Sequence, residues 1–246
     1  MLGLQIYTVR DKMTDEESTL RAMKEIKEIG YECVQLAGGL DTIRLAAEAA
    51  VKVGLAVVGI LTSIETCKKS GDELLSIAES AGATDIGISQ YFMTEENEAK
   101  ELVKDACDFS ARAAKMGISF SYHNHSNEFI RMSDGRTLMQ LLTEGFYPAG
   151  IDLMPDIYWL QHGGVDSREF LSCAAGRVKI LHLKDMKRAK DGPTFAALGE
   201  GNMNIAGIVE VAKRIGVRHY IVEQDVCDGD SMECARRSYN YIKAIL

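Results

Sequence analysis

The sequence predicts a (β/α)8 barrel, and two observations carry that prediction. Seven times a helix-like stretch stops at a glycine and a short apolar run follows at once, at Gly30, Gly54, Gly82, Gly117, Gly145, Gly176 and Gly216. A glycine just past a helix takes the left-handed conformation that lets the last carbonyls be capped, so each junction reads as helix, cap, strand. With an opening strand over Leu2 to Tyr7 this gives eight strands, and a helix between successive strands forces parallel pairing. The second observation is size. Eight such units in 246 residues match a closed barrel, which typically takes about 250. Proline is scarce and no Ser/Gly-rich stretch or single-charge block interrupts the chain, so one domain over 1–246 is expected.

The elements follow in order. The first strand ends in Gln5 and Tyr7, with Arg10 just beyond, and the next three strands are the apolar runs after Gly30, Gly54 and Gly82. Strand five reads Gly117-Ile-Ser-Phe-Ser-Tyr-His-Asn-His125. Period-two alternation turns Phe120 and Tyr122 toward the helices and Ser119, Ser121, His123 and, beyond the strand, His125 into the barrel. Strand six, Gly150-Ile-Asp-Leu-Met-Pro-Asp156, places Asp152 deep and Asp156 at the top, with Pro155 able to bend it between them. In strand seven Leu181 and Leu183 face the helices while His182 and Lys184 point inward. Strand eight, His219 to Asp225, sends Tyr220 and Val222 outward and Glu223 inward.

Such barrels carry their chemistry at the C-terminal ends of the strands. Four adjacent strands present His123, Asp156, His182 and Glu223 at that rim, a set of imidazole and carboxylate donors fit for a divalent ion such as Mn2+, Zn2+, Co2+ or Mg2+. Each of them alone has an ordinary structural explanation as a rim or capping residue; the convergence of all four points to a site.

Composition narrows the ligand. A net charge of −8 argues against a nucleic-acid partner, which needs a basic surface. No apolar run is long enough to cross a bilayer, and no basic segment with an apolar stretch opens the chain, so a cytoplasmic protein without membrane contact is expected. The six cysteines are scattered without a C-x-x-C pair, as suits reduced thiols. A small molecule is the expected ligand, and a homo-oligomer is compatible with the sequence.

Several segments in this order also carry a family likeness: Gly3-Leu-Gln-Ile-Tyr-Thr-Val-Arg-Asp11, Gly30-Tyr-Glu-Cys-Val-Gln-Leu-Ala-Gly38, Tyr122-His-Asn-His-Ser-Asn-Glu-Phe129, Asp156-Ile-Tyr-Trp159, Leu181-His-Leu-Lys-Asp-Met186, Leu198-Gly-Glu-Gly201 and Val222-Glu-Gln-Asp225. In these the chain resembles the sugar phosphate isomerase/epimerase family of xylose isomerase-like TIM barrels, in the AP-endonuclease type 2 superfamily. The resemblance implies a divalent-metal site of the pattern Glu, Asp, His, Glu on strands five to eight. Asp156, His182 and Glu223 match the last three positions. The first falls on His123, so either His123 or Glu128, reaching back from the loop, supplies the remaining ligand. The resemblance usually gives glutamate where this chain has Gln35, and a frequent histidine near strand three is Thr62.

This implies a metal-dependent sugar isomerase or epimerase in which Glu223 abstracts a proton alpha to a carbonyl. The partner on the opposite substrate face is His123, His125 or Glu128. With one family carboxylate replaced, one-base isomerisation or elimination, as in dehydratases and lyases acting on inososes or keto-sugars, gains on strict epimerisation. A non-catalytic sugar-binding barrel is the third reading. A repair endonuclease on this fold is disfavoured, because its three-metal cluster needs more ligands than five histidines at these positions give. Gln5, Tyr7, Arg10 and Trp159 are the candidates for holding the sugar, and Lys184 for an oxyanion. Gly199-Glu-Gly201 is a candidate anion loop, but without a Lys or Arg inside it a neutral or carboxylated sugar is expected rather than a phosphate.

Overall fold

A computed structural model of the chain describes residues 1–89 and 93–246. Strand β1 (Leu2–Gln5) runs through a 3-10 segment, Ile6–Lys12, into helix α1 (Glu16–Ile29). Asp15 caps α1: its carboxylate accepts the Ser18 N–H while the Ser18 hydroxyl accepts the Asp15 N–H, so two of the orphan donors of the first turn are satisfied. The unit repeats as β2 (Cys33–Ala37) and α2 (Leu40–Val53), β3 (Ala56–Thr62) and α3 (Ile64–Ala81), β4 (Asp85–Ser89) and α4 (Glu96–Ala114), β5 (Ser119–His123) and α5 (Leu138–Phe146). After β6 (Asp152–Met154) the return is shared by two short helices, α6 (Ile157–His162) and α7 (Ser167–Cys173). Strand β7 (Ile180–Leu183) leads into an antiparallel hairpin, β8 (Asp185–Ala189) and β9 (Gly192–Ala196), before α8 (Ile205–Arg214). Strand β10 (His219–Val222) and α9 (Ser231–Lys243) complete the chain.

The eight parallel strands pair in the order β6-β5-β4-β3-β2-β1-β10-β7. The ring closes between β6 and β7 through a sparse joint, in which the Leu153 N–H donates to the Arg177 carbonyl at 2.8 Å and the His182 N–H to the Pro155 carbonyl at 2.9 Å. This is the predicted (β/α)8 barrel.

Alternation along the strands sorts the core into two regions. Phe120, Tyr122, Leu181, Leu183, Tyr220 and Val222 pack outward against the helices. A separate small plug of Cys33, Val58, Met154, Ile180 and Ile221 fills the barrel interior. Below it lies a polar layer, where the Ser121 hydroxyl donates to Asp85 at 2.6 Å and Lys179 pairs with Asp152 at 2.7 Å. Asp152 is thus at the closed end, as its strand position predicts.

Six of the seven glycine junctions adopt the expected positive φ, and Gly145 does not. It lies inside α5, where a Cβ would collide with Val103 of α4, and the left-handed turn into β6 is made by Gly150 at φ 73°. Gly145 is there for close helix contact. Among the described residues no helix is long and apolar enough to cross a membrane.

Candidate active site

His123 ends β5, His182 lies within β7, and Glu223 follows β10 by one residue. Asp156 reaches the same point differently from a strand residue. Pro155 stops β6, and Asp156 becomes the N-cap of α6, its Oδ1 accepting the Tyr158 and Trp159 N–H groups at 2.8 and 3.2 Å. Its own N–H donates to Asn124 Oδ1 at 3.0 Å. With one oxygen and the backbone fixed, Oδ2 is left to face the barrel axis. The four side chains are buried, and each offers a ligand atom within 4.8 Å of the others.

Lys184 stands among them. Its ammonium lies 2.8 Å from Asp156 Oδ2, 3.0 Å from Glu223 Oε2 and 2.8 Å from Asp225 Oδ1. Burial works against the lysine charge, but the three carboxylates outweigh it and raise its pKa above the ordinary range. Burial would likewise lift Glu223, yet Lys184 and His182 outweigh it and hold that carboxyl well below its usual value. For Asp156, burial wins over Lys184 and the carboxyl rises to about 6; Asp225 moves the same way for the same reason. The His123 ring is pressed well below the imidazole range by burial and by His182 and His125, and His125 is pushed down to about 3, burial again leading. Both rings are therefore neutral at pH 7.

These residues fit a divalent ion. Imidazole nitrogen and carboxylate oxygen suit first-row dications. The buried His123 Nδ1 has no hydrogen-bond partner among the described residues, and a buried polar atom ordinarily has one. Charge agrees: the Asp156, Glu223 and Asp225 carboxylates against the single Lys184 ammonium leave two negative charges for a dication to balance.

Over this floor opens a cavity of about 990 Å³, walled by Tyr7, Thr62, His125, Trp159 and Phe195 among others. Phe195, carried by the β8–β9 hairpin, stacks on Tyr158 with ring centroids 4.4 Å apart, and Lys184 lies 5.6 Å over the Trp159 ring. Tyr7 carries the Arg10 guanidinium on its face at 3.9 Å.

The structure brings His123, His125, Lys184, Glu223, Tyr7 and Trp159 to the cavity wall. It moves others away. Gln5 is fully buried and donates to Gln35 Oε1 at 2.7 Å, so it supports the floor and does not line the wall. Arg10 lies outside the lining and donates to the Tyr7 and Asp225 carbonyls. Glu128 is buried too, accepting from the Tyr122 hydroxyl of β5 at 2.8 Å and from the His125 N–H of the following loop at 3.0 Å, and His123 is the fourth member of the cluster. The glycine loop after β9 is turned inward: the Gly199, Gly201, Met203 and Met186 N–H groups all donate to the Asp185 carboxylate at 2.9, 3.1, 3.3 and 2.8 Å. Sequence reasoning missed Asp225, which stands two residues beyond Glu223 in the loop after β10, and Phe195, for which no periodicity gave a signal.

Comparison with known proteins agrees with this architecture. The sequence profile of the xylose isomerase-like TIM barrel family matches residues 3–244. An inosose dehydratase of Clostridium perfringens is 26% identical over 179 residues, which cover 65% of this chain and 59% of the dehydratase; the match thus spans less than two thirds of that relative. A sugar phosphate isomerase/epimerase structure from Parabacteroides distasonis superposes with a TM-score of 0.82 at 21% identity, covering 99% of this chain and 93% of the other. A xylose isomerase-like TIM barrel protein from Mycobacterium smegmatis in complex with magnesium gives a TM-score of 0.72 at 14% identity, over 99% and 95% of the two chains.

Proposed function

Because the chain belongs to the xylose isomerase-like TIM barrel family, we propose that it is a divalent-metal-dependent isomerase or epimerase of an uncharged keto- or aldo-sugar. The observation that carries this reading is the buried His123, Asp156, His182 and Glu223 cluster at the floor of an open, hydroxyl- and aromatic-lined cavity. A dication held by these four residues would polarise a substrate carbonyl and stabilise the charge that develops on its oxygen.

The chain's own residues do the rest. Glu223, kept ionised by Lys184 and His182, takes the proton from the carbon alpha to the carbonyl. The Lys184 ammonium, held protonated by its three carboxylates, donates a hydrogen bond to oxygen. His125 lines the cavity as a neutral imidazole and can pass a proton on the other substrate face. Tyr7 and Trp159 border the sugar. No phosphate is expected, because the amides that would cradle one already hold Asp185. Lys184 is, among the described residues, the one Lys or Arg in the wall. The free thiols of all six cysteines suit a cytoplasmic placement.

A lyase is the second reading, favoured by a specific observation: the cluster holds Glu223 and the helix-capping Asp156 as its carboxylates, with imidazoles at the position opposite. Loss of the alpha proton to Glu223 would then be followed by departure of a neighbouring hydroxyl as water. The similarity to inosose dehydratase supports it.

Proton NMR in heavy water over a panel of keto-sugars, aldo-sugars and inososes separates the two, since isomerases exchange the alpha proton with retention of the hydroxyls and lyases create an unsaturated product. Glu223→Gln is expected to lower exchange by about 10²- to 10⁴-fold. Exchange at the wild-type rate in that variant would remove Glu223 from the mechanism.

A further inference from the structure

Where the ladder between β5 and β6 ends, at the pair of His123 and Met154, one side chain carries the connection further. The buried Asn124 amide accepts the Asp156 N–H on Oδ1 at 3.0 Å and donates from Nδ2 to the His125 carbonyl at 3.1 Å. A backbone N–H only donates and a backbone carbonyl only accepts, so both partners demand the same orientation of the amide. His125 is held from its other side as well, since its N–H donates to Glu128 Oε1 at 3.0 Å. Both peptide groups of that residue are tied, and its ring stands in the cavity wall.

The ring in turn packs against two others. It meets the Trp159 indole with centroids 5.2 Å apart at 62°, and the His123 ring at the same distance and 79°. Trp159 donates its backbone N–H to Asp156 Oδ1 at 3.2 Å. The contacts therefore close on themselves, running from the Asp156 backbone through Asn124 to His125, across to Trp159, and back to the Asp156 carboxylate. From this we propose that Asn124 is a positioning residue, which uses the Asp156 backbone as its anchor to set the His125 ring in the cavity wall. Loop residues beyond a strand end are ordinarily mobile, and a misplacement of about 1 Å at a reacting group costs on the order of 10²-fold in rate. Asn124 itself is 1% exposed and does not line the cavity, so it acts through His125 and not on a substrate. The proposal rests on the proton transfer assigned to His125 above only for its catalytic consequence, since the placement is a property of the protein alone.

The test reads placement and consequence separately. The chain has five histidines and one tryptophan, so in ¹H–¹³C spectra of histidine-labelled protein the His125 ring signals, identified by their loss in His125→Ala, report the Trp159 indole beside them. Asn124→Leu removes both bonds of the amide. Asn124→Asp, read at pH 8, keeps an acceptor for the Asp156 N–H but has no proton for the His125 carbonyl. In both variants the His125 signals are expected to move toward those of an exposed histidine, while the signals of His219, at the start of β10, stay in place. Unmoved His125 signals in either variant, with folding verified by near-UV circular dichroism, overturn the proposal. With a substrate from the heavy-water panel, Asn124→Leu is expected to lower kcat about 10²-fold and leave KM little changed. If His125→Ala keeps the wild-type kcat while Asn124→Leu still displaces the ring, the placement holds and the proton transfer assigned to His125 fails. If His125→Ala is slow and Asn124→Leu is not, although its His125 ring is displaced, the positioning role is overturned.

Discussion

Lys184 is the residue on which the charge of the rim turns. It is buried, and three carboxylates share it, so removing it leaves buried anions without a counter-ion. Lys184→Met is expected to destabilise the metal-free protein by about 3–5 kcal/mol in urea unfolding, and a loss of under about 1 kcal/mol would mean that the carboxylates are not held by this ammonium. At this scale the sequence was informative about direction and poor about depth. Period two turned His123, His182, Lys184 and Glu223 inward, because a strand has only two faces. It could not say what lies above an inward side chain, since strand tilt and stagger set the height of each layer. Gln5 and Gln35 pair in register on neighbouring strands and end up sealed below the cavity, where the sequence alone suggested that Gln5 meets a sugar.

Among the elements, the hairpin after β7 is the least legible part of the chain. Gly192, Pro193 and the alternation from Asp185 to Ala196 make a short antiparallel excursion with the look of an ordinary βα loop, and the helix-cap-strand rhythm passes over it. Gly145 misled for a related reason: a glycine before an apolar run can be a cap or a contact, and only the neighbouring helix decides. The hairpin is anchored at its base by Asp185, whose carboxylate receives four backbone N–H groups. Burial still raises its pKa, with those donors opposing the rise. Asp185→Asn replaces an accepting oxygen with an NH2 group facing donors. A loss of about 2 kcal/mol is expected, equivalent to a fall in Tm on the order of 5 °C for a chain of this size. Calorimetry checks the first effect, and accelerated proteolysis between 185 and 203 checks that the hairpin is what loosens; an unchanged Tm would show the nest to be dispensable.

For the molecule as a whole, the closed end of the barrel sets a dependence on pH. Burial lifts Asp85 to about 7, against the pull of the Ser121 hydroxyl and Lys179. A carboxyl raised on folding contributes stability that is complete below its unfolded pKa of about 4 and is lost as pH rises through about 7. His125, pushed down to about 3, works in the other direction and is lost on acidification, so the total curve mixes both slopes. Asp85→Asn separates them: the variant should gain on wild type as pH goes from 5 to 8 in parallel urea titrations, and a constant difference would mean that Asp85 ionises normally. The joint between β6 and β7 has a further bearing. Every other pair of neighbouring barrel strands is laced by a ladder of several residue pairs, with one register shift between β2 and β3, whereas this one is held by the bonds at Leu153 and His182. Asp156 stands on one side of it and His182 on the other, so whatever binds between those two side chains also works as a clasp on the hoop, and loading the active site and tightening the barrel become one event.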